Sequence, residues 1–597
     1  MSVSPRGMAV QEAYREYRDG NFRVNRKYQR KLVWSLHEKQ MLIDSILAGY
    51  PVPLILLAYR LKEDGTKSFE ILDGLQRLNA VFTFIENGFA VKGKYFDDGQ
   101  LARAKTLADQ DAFQRAPADA PRLSPQECAK LLEYTLAVTE FPAINENAVT
   151  DVFGRINSFG RQLSDQERRQ AGIVSEFATV CRETSAEIRG DATSETLDLS
   201  EMPEISIDSG GEFTTYAIKA DETFWCKQGI IRKNNLRFSE DEQLIADLVI
   251  SVLHGNPFAF SGGALDGCYD PESEEGKKLN DALIAYTPTR LKHEIVSTIS
   301  ILRSVIEEND SGSGAFRRIV DPGSANPSKT AFYAVFMAFF ELCVRRRKSP
   351  SDTKKIVAAL SNLQGRLHVA AGQIRSEPRQ QNIDTVVGLI ERHFEDKDPP
   401  VLDHGVGSSI QFENAIRRSR VESTIFECKQ GLYRLADSRT YDPQVLDRVL
   451  ETVCAIANSG ASETGGLFIG VADKKNDALR IQTLDSIIPI QLSSRYCVGI
   501  DREAKLSSQN LDTYIRKVVA HLSGSKLSEP LKTSVCSNIV PIVYRGMTIL
   551  CIWVPPQKQV SYFNEELFIR SGAETKKVTN PKAIGAVHEI FSHKAKK

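Results

Sequence analysis

The eight residues Ile71-Leu72-Asp73-Gly74-Leu75-Gln76-Arg77-Leu78 decide how the first third of this chain is read. Ile71 and Leu72 close a strand-length run that starts at Ser68, Asp-Gly makes a tight turn, and helix-like periodicity follows from Gln76 to Glu86. A strand, a turn and a helix start in succession aim backbone N–H groups and Arg77 at one point. Such a helix N-terminus favours a phosphate through its dipole and its unpaired donors, and Arg77 can add a bidentate contact. Asp73, in the same turn, can hold a metal or polarise a water. A purely architectural reading stands beside this one: a strand–turn–helix junction with Asp73 as its N-cap.

Outward from this stretch, the upstream pattern is α/β. A helical pattern runs from near Leu36 to Leu47, Pro51 and Pro53 break it, and Leu54 to Tyr59 forms a short apolar run. A turn at Asp64-Gly65 predicts a hairpin between that run and Ser68–Leu72. Gln114 to Pro125 is polar, rich in Pro and Ala, and reads as a loop. From Glu240 to His393 the pattern is mainly helical, as in Glu242–Leu253, Thr330–Arg345 and Ile383–His393. No chemical constellation stands out there, and a connector or sensor is the expected role. Asp396-Lys-Asp-Pro-Pro400 with Gly405–Ser409 reads as a boundary, after which the pattern returns to mixed α/β. The expected fold class is multidomain α/β and α. Its parts are an N-terminal α+β domain over 1–195, a helical domain over 196–400 and a C-terminal mixed α/β domain over 405–597.

The 597 residues exceed what one core organises. A net charge of −1 excludes a protein that simply coats DNA, so any nucleic-acid surface must be a local patch. No apolar run reaches the ~18 residues of a membrane span. The polar start, Met1 to Tyr14, carries no secretory h-region. Ten scattered cysteines without a Cys-x-x-Cys pair disfavour a zinc ribbon and fit a reduced, cytoplasmic protein.

Two further segments join Asp73-Gly74-Leu75-Gln76-Arg77. Upstream are Tyr28-Gln29-Arg30, Trp34-Ser35 and Tyr50-Pro-Val-Pro53; downstream is Val152-Phe-Gly-Arg155-Ile-Asn157-Ser-Phe-Gly-Arg-Gln-Leu-Ser164. In order and spacing, residues 10–180 resemble the ParB-like DGQQR domain of GmrSD-type restriction enzymes and related defence proteins. The resemblance implies binding, and often hydrolysis, of a nucleoside triphosphate that licenses attack on DNA. By position it assigns nucleotide contacts to Gln29, Arg30, Asp73, Gly74, Gln76, Arg77, Arg155 and Asn157. Leu75 departs from the pattern, standing where the family has its first glutamine. Binding without turnover is therefore a second option. No Walker-type Gly-x4-Gly-Lys-Ser/Thr segment occurs.

The second constellation is Glu422-Ser-Thr-Ile-Phe-Glu427-Cys428-Lys429-Gln430, then Cys454-Ala-Ile-Ala-Asn458-Ser-Gly460 and Gly465-Gly-Leu-Phe-Ile-Gly470-Val-Ala-Asp473. On a strand Glu427 and Lys429 share a face, and Glu422 must come from a preceding turn or helix end. Asp473 lies where a glycine-spaced strand exits. Three carboxylates and a lysine that converge can hold a divalent cation, which polarises a phosphate while Lys429 offsets developing charge. Taken singly, each residue reads more readily as part of a solvated strand face. With the late strand Leu567-Phe-Ile-Arg570-Ser-Gly572, residues 410–590 resemble the Schlafen-type AlbA-like domain. That likeness implies catalytic roles for Glu422, Glu427, Lys429 and Asp473, with Glu422, Glu427 and Asp473 as ligands of Mg²⁺ or Mn²⁺. The Ala461–Thr464 insertion lengthens a loop near the expected site, and Cys428 replaces the usual aromatic as a core residue. Basic residues with interspersed aromatics (Lys474, Lys475, Arg502, Lys505, Arg516, Arg570, Lys576 and Lys577 among them) could line a phosphate-tracking groove or form an ordinary charged surface.

Together the resemblances imply an antiphage-defence protein whose nucleotide-handling domain controls a metal-dependent nuclease acting on RNA or DNA. The alternatives are a nucleic-acid-binding regulator and a nucleotide-gated scaffold, neither of which cuts. The expected partners are nucleic acid, a nucleoside triphosphate, and either further copies of the chain or a separate defence protein. The nine histidines form no His-x-x-x-His or HNH-like cluster.

Overall fold

The computed structural model describes residues 4–26, 31–62, 65–109, 113, 115–143, 149, 152, 164–170, 175–191, 196–202, 204–206, 217–368, 374–399, 409–418, 425–460, 464–571 and 574–592. The chain divides into two units. One comprises Met1–Ile295, Asp310–Arg345 and Lys354–Phe394; the other comprises Val296–Asn309, Arg346–Thr353 and Glu395–Lys597.

The first unit is organised on a six-stranded mixed sheet. Its elements, in chain order, are β1 (Ser4–Ala9), α1 (Val10–Arg18), β2 (Phe22–Asn25), α2 (Leu36–Leu47), β3 (Ile55–Leu61), β4 (Lys67–Asp73), α3 (Leu75–Ile85), α4 (Pro125–Glu133), β5 (Thr135–Pro142), α5 (Glu176–Arg189) and β6 (Thr196–Asp198). The strand order is β1-β5-β3-β4-β2-β6. The expected hairpin is present, since β3 and β4 are antiparallel, and β3 runs parallel to β5. Helix α2 starts where Ser35 and Glu38 cap each other reciprocally, which satisfies orphan donors of the first turn. Apolar residues of α1, α2, α3 and α4 cover one sheet face around Phe22, Ile71, Leu78 and Phe82.

The helical stretch follows in the same unit and includes α6 (Glu240–His254), α7 (Lys329–Phe340) and α8 (Ser376–Ile390). Helix α7 is buried almost all round, from Ala331 to Phe340, so it reads as apolar in every direction rather than as a stripe. A buried charge network ties these helices to the sheet domain. Arg26 grips Asp191 through both guanidinium nitrogens at 2.7 and 2.8 Å, Arg189 pairs with Asp191 and Asp241, and Lys31 pairs with Asp241 and Glu242 at 3.2 Å each. Each buried charge is thereby matched by an opposite one, without which burial would be prohibitive.

The second unit contains α9 (Ser409–Arg418), β7 (Phe426–Lys429), α10 (Gln444–Ala457), β8 (Gly465–Ile469), β9 (Val471–Ala472), β10 (Ile490–Leu492), β11 (Arg495–Cys497), α11 (Leu511–Ser523), β12 (Ile539–Tyr544), β13 (Met547–Val554), β14 (Leu567–Ser571), β15 (Glu574–Val578) and α12 (Pro581–Ser592). The main sheet has the order β7-β8-β13-β12, with β7 and β8 parallel. Alternation sorts its side chains. Leu467, Ile469, Leu550 and Ile552 face α10 and α11, while Phe426, Cys428, Phe468 and Trp553 face α9. Gly465 is required by close approach, because a Cβ there would collide with Ile456 and with the carbonyl of Ile425. No helix among the described residues is long and apolar enough to cross a membrane.

Candidate functional site

Two candidate sites stand out, one in each unit. In the first unit, β4 ends at Asp73 and α3 begins at Leu75. The N-cap is Gly74, with φ 101°, rather than Asp73. A Cβ at Gly74 would sit 2.9 Å from Ile55 Cγ1, so both space and backbone demand glycine here. Asp73 is half-exposed and accepts the Gly74 N–H at 2.8 Å. Arg77 donates to Asp73 at 2.7 Å and to the Leu54 carbonyl at 2.9 Å. Gln76 is engaged with backbone. Its Oε1 accepts the N–H groups of Val33 and Trp34 at 3.1 and 3.2 Å, and its Nε2 donates to the Lys31 carbonyl at 2.6 Å. It therefore pins the segment that follows Tyr28-Gln29-Arg30 against the start of α3. Leu75 is 2 % exposed and packs in the core, so its side chain points away from this surface. Gln29, Arg30, Arg155 and Asn157 lie outside the described residues.

In the second unit, Glu427 and Lys429 share the face of β7 that looks toward α10, as alternation requires, and they form an ion pair at 2.6 Å. The second Glu427 oxygen lies 3.0 Å from Arg570 of β14, a side chain only 2 % exposed. Arg570 also donates to Thr575 of β15 at 3.1 Å, and Thr575 meets Thr452 of α10 at 3.2 Å. The carboxylate is thus clamped between two cations at the edge of the sheet. Asp473 follows β9 directly and pairs with Arg495 of β11, as the antiparallel register Val471–Cys497 and Ala472–Tyr496 dictates. The Cys428 thiol, on the opposite face of β7 from Glu427 and Lys429, feels the charges of Arg495, Glu427 and Lys429. Burial dominates over these charges and pushes that thiol up to about 12. Glu422 lies outside the described residues.

Two anchors hold this arrangement. Where the chain leaves Lys429, Arg502 donates to both the carbonyl and the side chain of Gln430, and buried Glu503 accepts the N–H groups of Leu432 and Tyr433. At the end of α10, Asn458 donates to the carbonyls of Ser561 and Phe568 at 2.8 and 3.0 Å and accepts the Ser561 N–H at 2.8 Å. That locks the segment two residues before Arg570 onto the helix. Two of the basic residues that could have lined a groove or an ordinary charged surface do neither. Arg502 and Arg570 are buried in ion pairs and offer nothing to a polynucleotide surface, because their charge is spent on Asp485 and Glu427.

Arg570 and Arg495 are ion-pair partners of Glu427 and Asp473 that residue spacing did not reveal. Arg570 stood inside a recognisable strand motif, which was the available signal; Arg495 carried none. As for a metal, Glu427 and Asp473 supply hard oxygen donors, but each is already matched by a cation. Among the described residues no three His, Cys, Asp or Glu side chains gather as a metal site. The donor set is incomplete without Glu422.

Residues 10–174 match the GmrSD restriction endonuclease N-terminal domain, and residues 422–579 match the Schlafen AlbA_2 domain. The chain therefore joins a GmrSD-type N-terminal domain to a Schlafen-type AlbA_2 domain. No curated protein and no solved structure gives a significant match.

Proposed function

We propose that this is a defence nuclease in which a nucleotide-handling N-terminal part and a helical middle control cleavage of RNA or DNA by the C-terminal part. The observation that carries the reading is the Glu427 carboxylate held between Lys429 and Arg570. Acids and cations packed together at a strand end suit phosphodiester chemistry. The acids would hold Mg²⁺ or Mn²⁺, with Glu422 as the third ligand, and the bound cation would polarise the phosphate. In this reading Lys429, 30 % exposed, meets a phosphate oxygen, while buried Arg570 keeps Glu427 oriented. In the N-terminal part, the first turn of α3 and Arg77 are the phosphate-facing elements in this reading, together with Gln29, Arg30, Arg155 and Asn157. A triphosphate there would compete with Asp73 for Arg77.

A second reading is nucleic-acid binding without cleavage. It is favoured by the same ion pairs, since both described carboxylates are already neutralised. Purified full-length chain incubated with labelled tRNA, single-stranded DNA and duplex DNA, with Mg²⁺ or Mn²⁺ and each nucleoside triphosphate, separates the two. The nuclease reading expects metal-dependent products that Glu427→Ala and Asp473→Ala reduce by about 100-fold or more with binding retained. Binding that weakens with salt, and no product under any metal, establishes the second reading.

A further inference from the structure

The helical stretch of the first unit encloses a cavity of about 200 Å³ between α6, α7 and α8. Its floor is apolar and aromatic. Tyr333 and Ala334 come from α7, Leu244 from α6, and Phe260 closes one side. Two acids border it and both are matched. Asp247 is gripped by Arg379 through both guanidinium nitrogens at 2.8 and 2.5 Å, and Glu240 pairs with Lys329. The Arg379 guanidinium also lies 3.3 Å over the Tyr333 ring, which fixes that ring as a flat wall. One charge is left over. Arg375, exposed at the mouth just before α8, has no ion-pair or hydrogen-bond partner among the described residues. The side chains around the cavity thus carry three cations, Lys329, Arg375 and Arg379, against two anions, Glu240 and Asp247.

We propose that this cavity is a binding site for a small planar aromatic ligand bearing one anionic group, its ring against Tyr333 and its acid at Arg375. An apolar floor with few, convergent polar groups is the usual form of a small-molecule site. The volume admits a one- or two-ring system rather than a polymer, and the unmatched cation selects an anion over a neutral or cationic ring. Its position gives the site access to the N-terminal turn. Helix α6, one of its walls, carries Asp241 and Glu242 on its first turn; these hold Lys31, and the Lys31 carbonyl accepts Gln76. The proposal is independent of the nuclease reading.

The test uses the full chain and two fluorescent, planar two-ring probes of similar shape, anionic naphthalene-2-sulfonate and neutral 2-naphthol. Both are expected to saturate one site per chain. Arg375→Glu, a change at an exposed position, should weaken the sulfonate by about 10- to 100-fold, the scale of one charge-assisted contact, and leave the neutral probe within about 2-fold. Thr330→Trp, at the exposed mouth, should abolish both. Absence of saturable binding to the unaltered chain, equal weakening of both probes by Arg375→Glu, or undiminished binding in a folded Thr330→Trp variant would overturn the assignment.

Discussion

Replacing Asn458 tests whether the Glu427 clamp depends on its distant anchor. Asn458 is 2 % exposed, and it makes two donor contacts and one acceptor contact to the Ser561–Phe568 segment. Asn458→Ala removes all three. The Ser561 N–H then has no partner, while its carbonyl keeps only the weak Cys454 thiol at 3.3 Å. At about 1–3 kcal/mol per buried polar group left without a partner, with the carbonyls partly compensated, the expected cost is about 3–5 kcal/mol. Asn458→Asp is nearly isosteric but should be no milder, because it turns a donor pair facing two carbonyls into a buried anion. The loss is expected as local opening: amides of Leu567–Ser571 and of the last turn of α10 should exchange about 100-fold faster or more, while amides of the first unit keep their rates. Arg570 should loosen with them, so metal-dependent cleavage should fall in parallel. Unchanged exchange in Asn458→Ala, or an Asn458→Asp variant as protected as the unaltered chain, would refute the anchor.

Gly74→Ala should cost about 1–3 kcal/mol, because the new Cβ meets Ile55 and φ 101° is strained for alanine, and in a unit of this size that lowers the melting temperature by about 1–4 °C; calorimetry reads this directly. Gln76→Glu keeps the acceptor for Val33 and Trp34 but sets an anion against the Lys31 carbonyl, at a cost of about 1–3 kcal/mol. Lost nucleotide binding with unchanged stability would instead mean that Gln76 touches the nucleotide and not this segment. Burial alone would raise the Asp191 carboxyl, but Arg26 and Arg189 outweigh it and hold the group down at about 2. A depressed carboxyl contributes stability that is fully present above its ordinary value, about 3.9, and is lost as pH falls through about 2. Acid titration followed by near-ultraviolet dichroism should show that loss, and Asp191→Asn should flatten it.

Local patterns were read correctly where the causes are local. The β3–β4 hairpin, the start of α3 after Asp-Gly, the shared face of Glu427 and Lys429, and the helices expected near Glu242 and Thr330 all follow from periodicity of 2 or 3.6 and from turn residues, whereas the helix expected from Ile383 to His393 runs from Ser376 to Ile390. One junction was read a residue early: Gly74 caps α3, because only glycine can pass Ile55 in a left-handed conformation. The cavity in the helical stretch was invisible for a different reason. Its walls come from residues more than 130 positions apart, Glu240 to Asn382, and each helix alone shows only an ordinary mixture of polar and apolar positions.

From the order of residues alone came the two domain types at the ends of the chain, the alternation that puts Glu427 beside Lys429, and the Asp-Gly turn between β4 and α3. These are matters of neighbours within a few positions, where backbone geometry dictates direction. What only the folded chain decided was which distant cation meets which acid. Arg570 reaches Glu427 across 143 positions because β14 packs on α10, and Arg495 reaches Asp473 through strand register. Ion pairs of this kind form wherever packing brings opposite charges together away from water, and no local spacing encodes that encounter.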